Sequence, residues 1–230
     1  MVRALARASL WLCMALPSVA LAAGVVGHLA TRASQGVEPA VEIGLVGPDL
    51  IQIDQVLAHR APELGLDLRR RVAEAIVDES RKARFDPMLV LGLIETESAF
   101  VGDAVSIAGA RGLMQLMPVT LDYVAQLEGV RLTSEEIYRD PAMQVRLAVR
   151  YLSRLEKRFR SLDLGLMAYN GGPERLRQAL EEGEAENWFG NYVRTVRMNQ
   201  SRYRLRLSPS SLARIERPKL FDGTDVVRMP

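Results

Sequence analysis

Cysteine is almost absent. Cys13 is the single one in 230 residues, and it sits inside an apolar run near the start. A mature chain without that segment has no thiol to pair, so a disulfide framework and a thiolate metal site are both excluded. The fold must rest on packing alone. Alternating apolar and polar residues never persist beyond a few positions, which argues against strands, and no internal repeat is present. An excess of one charge is missing too: formal net charge is +2, and removing Arg3 and Arg7 leaves 28 basic and 28 acidic residues. Nothing global draws such a chain to nucleic acid.

The length and a 48% apolar content suit one substantial domain with extensions. Arg3 and Arg7 precede the apolar stretch Ser9 to Leu21, which closes on Ala20-Leu21-Ala22. That is the pattern of a secretory signal peptide over residues 1–22, cut before Ala23. The apolar character runs on to Ala30, so an uncleaved anchor is the competing reading. Cleavage leaves no stable membrane span and places the chain in the periplasm or outside the cell. Residues 23–66 carry scattered Gly and Pro around one apolar run, Leu50 to Leu57, and read as a linker with room for one helix.

Helical spacing takes over from Asp67, with Leu68, Val72, Ala75 and Ile76 on one stripe that ends near Ala83. Asp86-Pro87 restarts a helix that runs to about Ser98, Asp as N-cap and Pro at the first helical position. Thr133 to Glu136 reads as a capping box, and Ala142 to Phe159 as a long amphipathic helix. Leu164 to Tyr169, Pro173 to Leu180 and Tyr192 to Met198 read as further helical pieces between Gly-rich joints. The class is mainly α. The main helical domain is drawn over residues 67–205, followed by a basic tail over 206–230. From Arg194 to Lys219 there are eight basic residues against Glu216 alone, read as a solvated tail or, less simply, a docking segment.

Among the acids, Glu97 stands out. It lies three and four positions after Ile94 and Leu93 and seven after Val90, so it projects from an apolar stripe near a helix C-terminus. Desolvation and the negative end of the helix dipole both raise the pKa of a carboxyl there, which suits a general acid. The same position also suits a helix-end acid reaching solvent, and this fragment alone leaves both open. Glu95 faces roughly the opposite side, and Asp103 falls in a loop, so no partner carboxylate of the two-acid glycosidase type is evident.

Three ordered blocks follow: Glu-Ser-x-Phe at 97–100, Ser-x-x-Gly-Ala-x-Gly-Leu-Met-Gln-Leu-Met-Pro at 106–118, and Ala-Tyr-Asn-Gly-Gly-Pro at 168–173. In order and spacing they resemble the signature blocks of the soluble lytic transglycosylase family, over about Val72 to Val196. The resemblance implies a lysozyme-like helical domain with a glycan-binding groove, using no metal and no cofactor. It implies Glu97 as sole catalytic acid and base. By the same carry-over, Ser106 and Gln115 hydrogen-bond substrate, Met117 lines the groove, Tyr169 and Asn170 form the wall opposite Glu97, and Tyr192 is another groove aromatic. Of the block residues, Gly109, Gly112, Gly171 and Gly172 suit tight turns, Met114 and Leu116 suit the core, and only Ser106 and Gln115 lack an obvious packing purpose.

The implied activity is cleavage of peptidoglycan glycan strands without water, leaving 1,6-anhydromuramoyl ends. A hydrolase of the same fold and a non-catalytic wall-binding component of an envelope-spanning machine are the alternatives; a nucleic-acid partner is not expected. The sequence departs from the family pattern at two places. Gln144 and Ala148 stand where Asn and Gly are usual, and Trp188-Phe189 replaces a Glu-Thr pair four residues before Tyr192.

Overall fold

The computed structural model describes residues 47–207. The expected signal peptide, most of the extension ahead of the catalytic domain and nearly all of the basic tail lie outside them. Nine α-helices fill the described residues, with no strand: α1 Pro48–Arg60, α2 Gly65–Ala83, α3 Pro87–Ser98, α4 Pro118–Leu127, α5 Ser134–Tyr138, α6 Pro141–Phe159, α7 Leu162–Gly171, α8 Pro173–Glu181 and α9 Ala185–Arg206. Among the described residues no helix is long and apolar enough to cross a membrane.

Helix starts follow the local chemistry. Asp86 accepts from the Met88 N–H at 3.0 Å, Asp140 accepts from Ala142 and Met143, and Thr133 and Glu136 close a reciprocal capping box. Prolines occupy the first turn of α1, α3, α4, α6 and α8, where a missing N–H costs nothing.

The apolar α3 forms the centre, and its Leu89, Val90, Leu91, Leu93 and Ile94 are all buried. It lies along α9. The approach is close enough that a Cβ on Gly92 would stand 2.7 Å from the Gln200 backbone nitrogen. Only glycine permits that spacing. Polar bonds fix the register of the pair. Tyr203 donates to Glu95 at 2.7 Å, Asn199 to Thr96 at 3.1 Å and Gln200 to Asp86 at 3.1 Å, while Arg204 pairs with Asp86.

On the other side α2 packs against α6. The buried Glu79 of α2 is met there by Arg150 at 2.8 Å, Arg146 at 3.5 Å and Lys82 at 2.8 Å. Burial pushes its carboxyl up, but Arg150 and Lys82 outweigh that and hold it down at about 2.

Three features differ from the sequence-based expectation. Helix α1 belongs to the packed body: Ile53, Leu57 and Ala61 are fully buried in the core, and Arg60 pairs with Glu95 at 2.9 Å. The ordered helices therefore begin ahead of residue 67. Helix α4 was not anticipated, because few of its residues are buried and the Pro-Val-Thr start resembles the loop before it. Helix α9 extends well beyond Tyr192 to Met198, and its Arg194, Arg197 and Arg204 are paired with Glu186, Asp163 and Asp86. Dense arginines had masked its buried stripe of Phe189, Val193, Val196, Gln200 and Tyr203.

Candidate active site

The loop joining α3 to α4 builds the site, and it is folded by its own backbone. Helix α3 ends in two consecutive left-handed residues, Ala99 and Phe100, at φ 51° and 70°. Such conformations cost energy in non-glycine residues and need anchoring. Phe100 supplies the anchor, being buried with the Arg60 guanidinium 5.2 Å from its ring centroid and the Tyr203 ring edge-on at 6.2 Å. The chain is thus turned sharply just after Glu97.

Beyond it, Ser106 donates its N–H to the Ala110 carbonyl at 2.9 Å and Gly112 donates to Ala104 at 2.8 Å. The hydroxyl of Ser98 donates to the Leu113 carbonyl at 3.0 Å, tying the loop to the end of α3.

Opposite this loop lies a cleft of about 500 Å³ whose wall includes Glu97, Ser106, Gln115, Met117, Tyr169 and Asn170. Six of the seven site residues expected from sequence therefore share one cavity. The seventh, Tyr192, reaches in from α9, and its hydroxyl donates to the Glu97 Oε1. Glu97 is partly buried, and that burial pushes its carboxyl up to about 7, against the opposing pull of the Tyr192 hydrogen bond. Tyr192 itself is held far above the usual phenol range by burial and by the neighbouring Glu97, so it remains a neutral donor.

Tyr169, nearly buried on α7, donates to the Met114 carbonyl at 2.7 Å and so pins the loop across the cleft. Among the residues lining the cleft, Glu97 is the sole acid. Glu95 points the other way, into its pair with Arg60 and Tyr203. Asp103 lines a separate hollow beside Arg111 and Tyr138. No group of three or more metal-ligating side chains occurs among the described residues.

A family model for the transglycosylase SLT domain matches residues 74–188, half of the chain. The chain belongs to the SLT domain family. Its relatives include the membrane-bound lytic murein transglycosylase C of Mannheimia succiniciproducens, 34% identical over 92 residues that are 39% of this chain and 26% of that protein. A transglycosylase of Enterobacteria phage PRD1 is 35% identical over 125 residues, 54% of this chain and 43% of that one. The chain thus spans less than half the length of either curated relative.

Two solved structures share the fold. The lytic transglycosylase Slt of Pseudomonas aeruginosa, solved as an inactive mutant, matches at TM-score 0.52 and 24% identity, over 71% of this chain and 31% of that one. The 70 kDa soluble lytic transglycosylase of Escherichia coli also gives TM-score 0.52, at 21% identity over 69% and 29% of the two chains.

Within this SLT domain some side chains do more than sequence indicated. Ser106 and Gln115 were expected to lack a packing purpose, yet both are tied into the loop. The Gln115 Nε2 donates to the Ala104 and Gly112 carbonyls at 3.0 and 2.9 Å, and Ser106 Oγ accepts from the Ala110 N–H at 3.0 Å. Each keeps one half of its bonding capacity, the Gln115 carbonyl oxygen and the Ser106 hydroxyl proton.

Gly109, Gly112 and Gly172 take left-handed turns as expected, whereas Gly171 closes α7, where a Cβ would lie 2.2 Å from the Phe189 ring. The departing Gln144 lies against Gly112 and donates to the Tyr138 carbonyl at 2.9 Å, so it supports the loop from behind.

Tyr151, Thr120 and Pro173 also line the cleft and were not singled out. They continue it into a second hollow of about 400 Å³ that includes Val119, Tyr123, Arg154 and Arg158. Tyr151 read as one more apolar position of α6. Only its 5.9 Å contact with the Tyr169 ring reveals its place at the junction.

Proposed function

We propose that this chain is a peptidoglycan lytic transglycosylase that cuts the β-1,4 bond between N-acetylmuramic acid and N-acetylglucosamine. One observation carries the reading: a single carboxylic acid, raised to about 7, in a cleft of about 500 Å³ that adjoins a second hollow of about 400 Å³ and is lined by no second acid. Two-carboxylate glycosidases set their second group opposite the first to activate water or attack the sugar. Here the substrate must supply that second function.

In the proposed reaction Glu97 donates its proton to the glycosidic oxygen as the bond from C1 breaks, and the muramoyl acetamido group steadies the positive charge. The Glu97 carboxylate then takes the proton of the C6 hydroxyl, whose oxygen closes on C1 to form the 1,6-anhydro ring. Glu97 is left protonated and no water is consumed. An intramolecular hydroxyl reaches effective molarities of about 10⁵ M or more, so it outcompetes solvent. Tyr192 holds the carboxyl in place and favours its ionised form for the second step. Gln115 is suited to accept from a sugar N–H or O–H, and Ser106 to donate. Met117, Tyr169 and the exposed Asn170 complete the walls. Because the substrate lies outside the cytoplasm, the expected signal peptide fits this reading.

The test is product analysis of digested sacculi. The chain is expected to release muropeptides one water lighter than those of a hydrolase, and Glu97→Gln to release none while keeping its helical circular dichroism. Hydrated reducing ends would move the assignment to a lysozyme-type hydrolase, and unchanged release by Glu97→Gln would refute it.

A further inference from the structure

Trp188 stands where the family pattern has an acid, and it is 39% exposed, the sole tryptophan among the described residues. Its position relative to the site follows from helix geometry. Trp188 precedes Tyr192 by four residues on α9, so both lie on one face about 6 Å apart along the axis. That face is turned to Glu97, because the Tyr192 hydroxyl touches it. The neighbouring Phe189 seats its ring under Gly171, which lines the cleft, and meets the Trp188 ring edge-on at 6.1 Å. Trp188 therefore stands one helical turn before Tyr192 and beside Phe189, the ring that backs the cleft-lining Gly171.

A cation accompanies it. The Arg175 guanidinium lies 5.4 Å from the Trp188 ring centroid and 5.8 Å from that of Phe189. It forms no ion pair among the described residues, whereas Arg158, Arg177, Arg194 and Arg197 are each matched with an acid. An unmatched guanidinium on an exposed indole combines an apolar platform with a carboxylate-binding fork. A pyranose offers a face of C–H bonds to such a ring, and peptide-bearing muramoyl residues carry carboxylates that a neutral N-acetylglucosamine oligomer lacks.

Resting on the glycan-cutting reading above, we infer that Trp188 and Arg175 form an outer subsite. It stacks an N-acetylated sugar of the strand and holds a carboxylate on that sugar's substituent, so that acidic, peptide-bearing strands are preferred to neutral ones.

The test uses the full chain carrying Trp11→Phe, which leaves Trp188 as the sole tryptophan and so the sole side chain excited at the red edge of indole absorption, and Glu97→Gln, which prevents turnover. It is titrated with chitotetraose and with peptide-bearing strands released from sacculi, reading Trp188 emission and calorimetric affinity. Both ligands are expected to shift the emission. Arg175→Met is expected to lower the acidic-to-neutral affinity ratio about tenfold, as for loss of a charge-assisted hydrogen bond, and Arg175→Lys to restore part of it. Trp188→Ala is expected to weaken both ligands about fivefold or more.

A mere clasp between α8 and α9 would instead lower the melting temperature and leave the ratio unchanged, and that outcome overturns the inference. So does calorimetric binding with unmoved emission. If the chain carrying Arg175 and Trp188 binds neither ligand, the inference falls together with the function it rests on; if it binds both without preference, the inference falls alone.

Discussion

Glu97 is held between two opposing influences, desolvation that keeps its proton on and the Tyr192 hydroxyl that draws it off. The first step of the proposed reaction needs the acid, so kcat/KM should fall as pH rises through about 7. Tyr192→Phe removes a hydrogen bond made to the charged form, so the carboxyl should hold its proton to higher pH. The falling limb should move upward by about one unit, the worth of one bond to an ionised group. Initial rates on purified sacculi between about pH 5 and 9 measure it; a limb that stays put or moves down would show that the phenol does not govern this proton.

At this scale the sequence was informative about Glu97 itself, because its place on an apolar stripe depends only on neighbours three to seven residues away. It was silent on Tyr151 and Thr120. Their role exists only once α4, α6 and α7 are brought together.

Helix starts were legible for the same local reason: Asp86-Pro87, Asp140-Pro141 and Thr133 with Glu136 carry their caps within four residues. The extent of α9 was not, since its purpose is met on α3, about a hundred residues earlier. That α3–α9 contact is also where the site is most sensitive to packing. Gly92→Ala would drive a methyl into the backbone at Val196 and Gln200, where no side chain can swing aside. A loss of about 1–3 kcal/mol is expected, as for overpacked cores, together with reduced cleavage, because displacing α9 moves Tyr192 away from Glu97. Thermal unfolding and sacculus digestion of the same variant check both halves. Full activity with lowered stability would separate the packing of the two helices from the alignment of the acid.

Across the described residues, the mainly helical class was readable from periodicity, whereas the inclusion of α1, ahead of residue 67, in the packed core was not. The apolar run Leu50 to Leu57 allowed one helix among the Gly and Pro of residues 23–66, but not that it packs into the core through Ile53, Leu57 and Ala61 with Leu50 and Val56 beside them. A chain starting at Asp67 loses those side chains and the Arg60–Glu95 pair. Ile53 and Leu57 alone are worth on the order of 4 kcal/mol, a melting temperature lower by about 10 °C. Calorimetry of the shortened chain tests this, and an unchanged transition would make α1 an ornament.

The residues matched by the family model begin partway along α2 and stop at Trp188, short of the tyrosine that grips the acid. Anyone grafting this domain onto another scaffold by the family's own limits would carry off Glu97 and Phe100 but leave behind Arg60 and Tyr203, which brace the Phe100 ring, and the Tyr192 hand that steadies the acid. The transplantable piece is the longer one, from the first helix through the last.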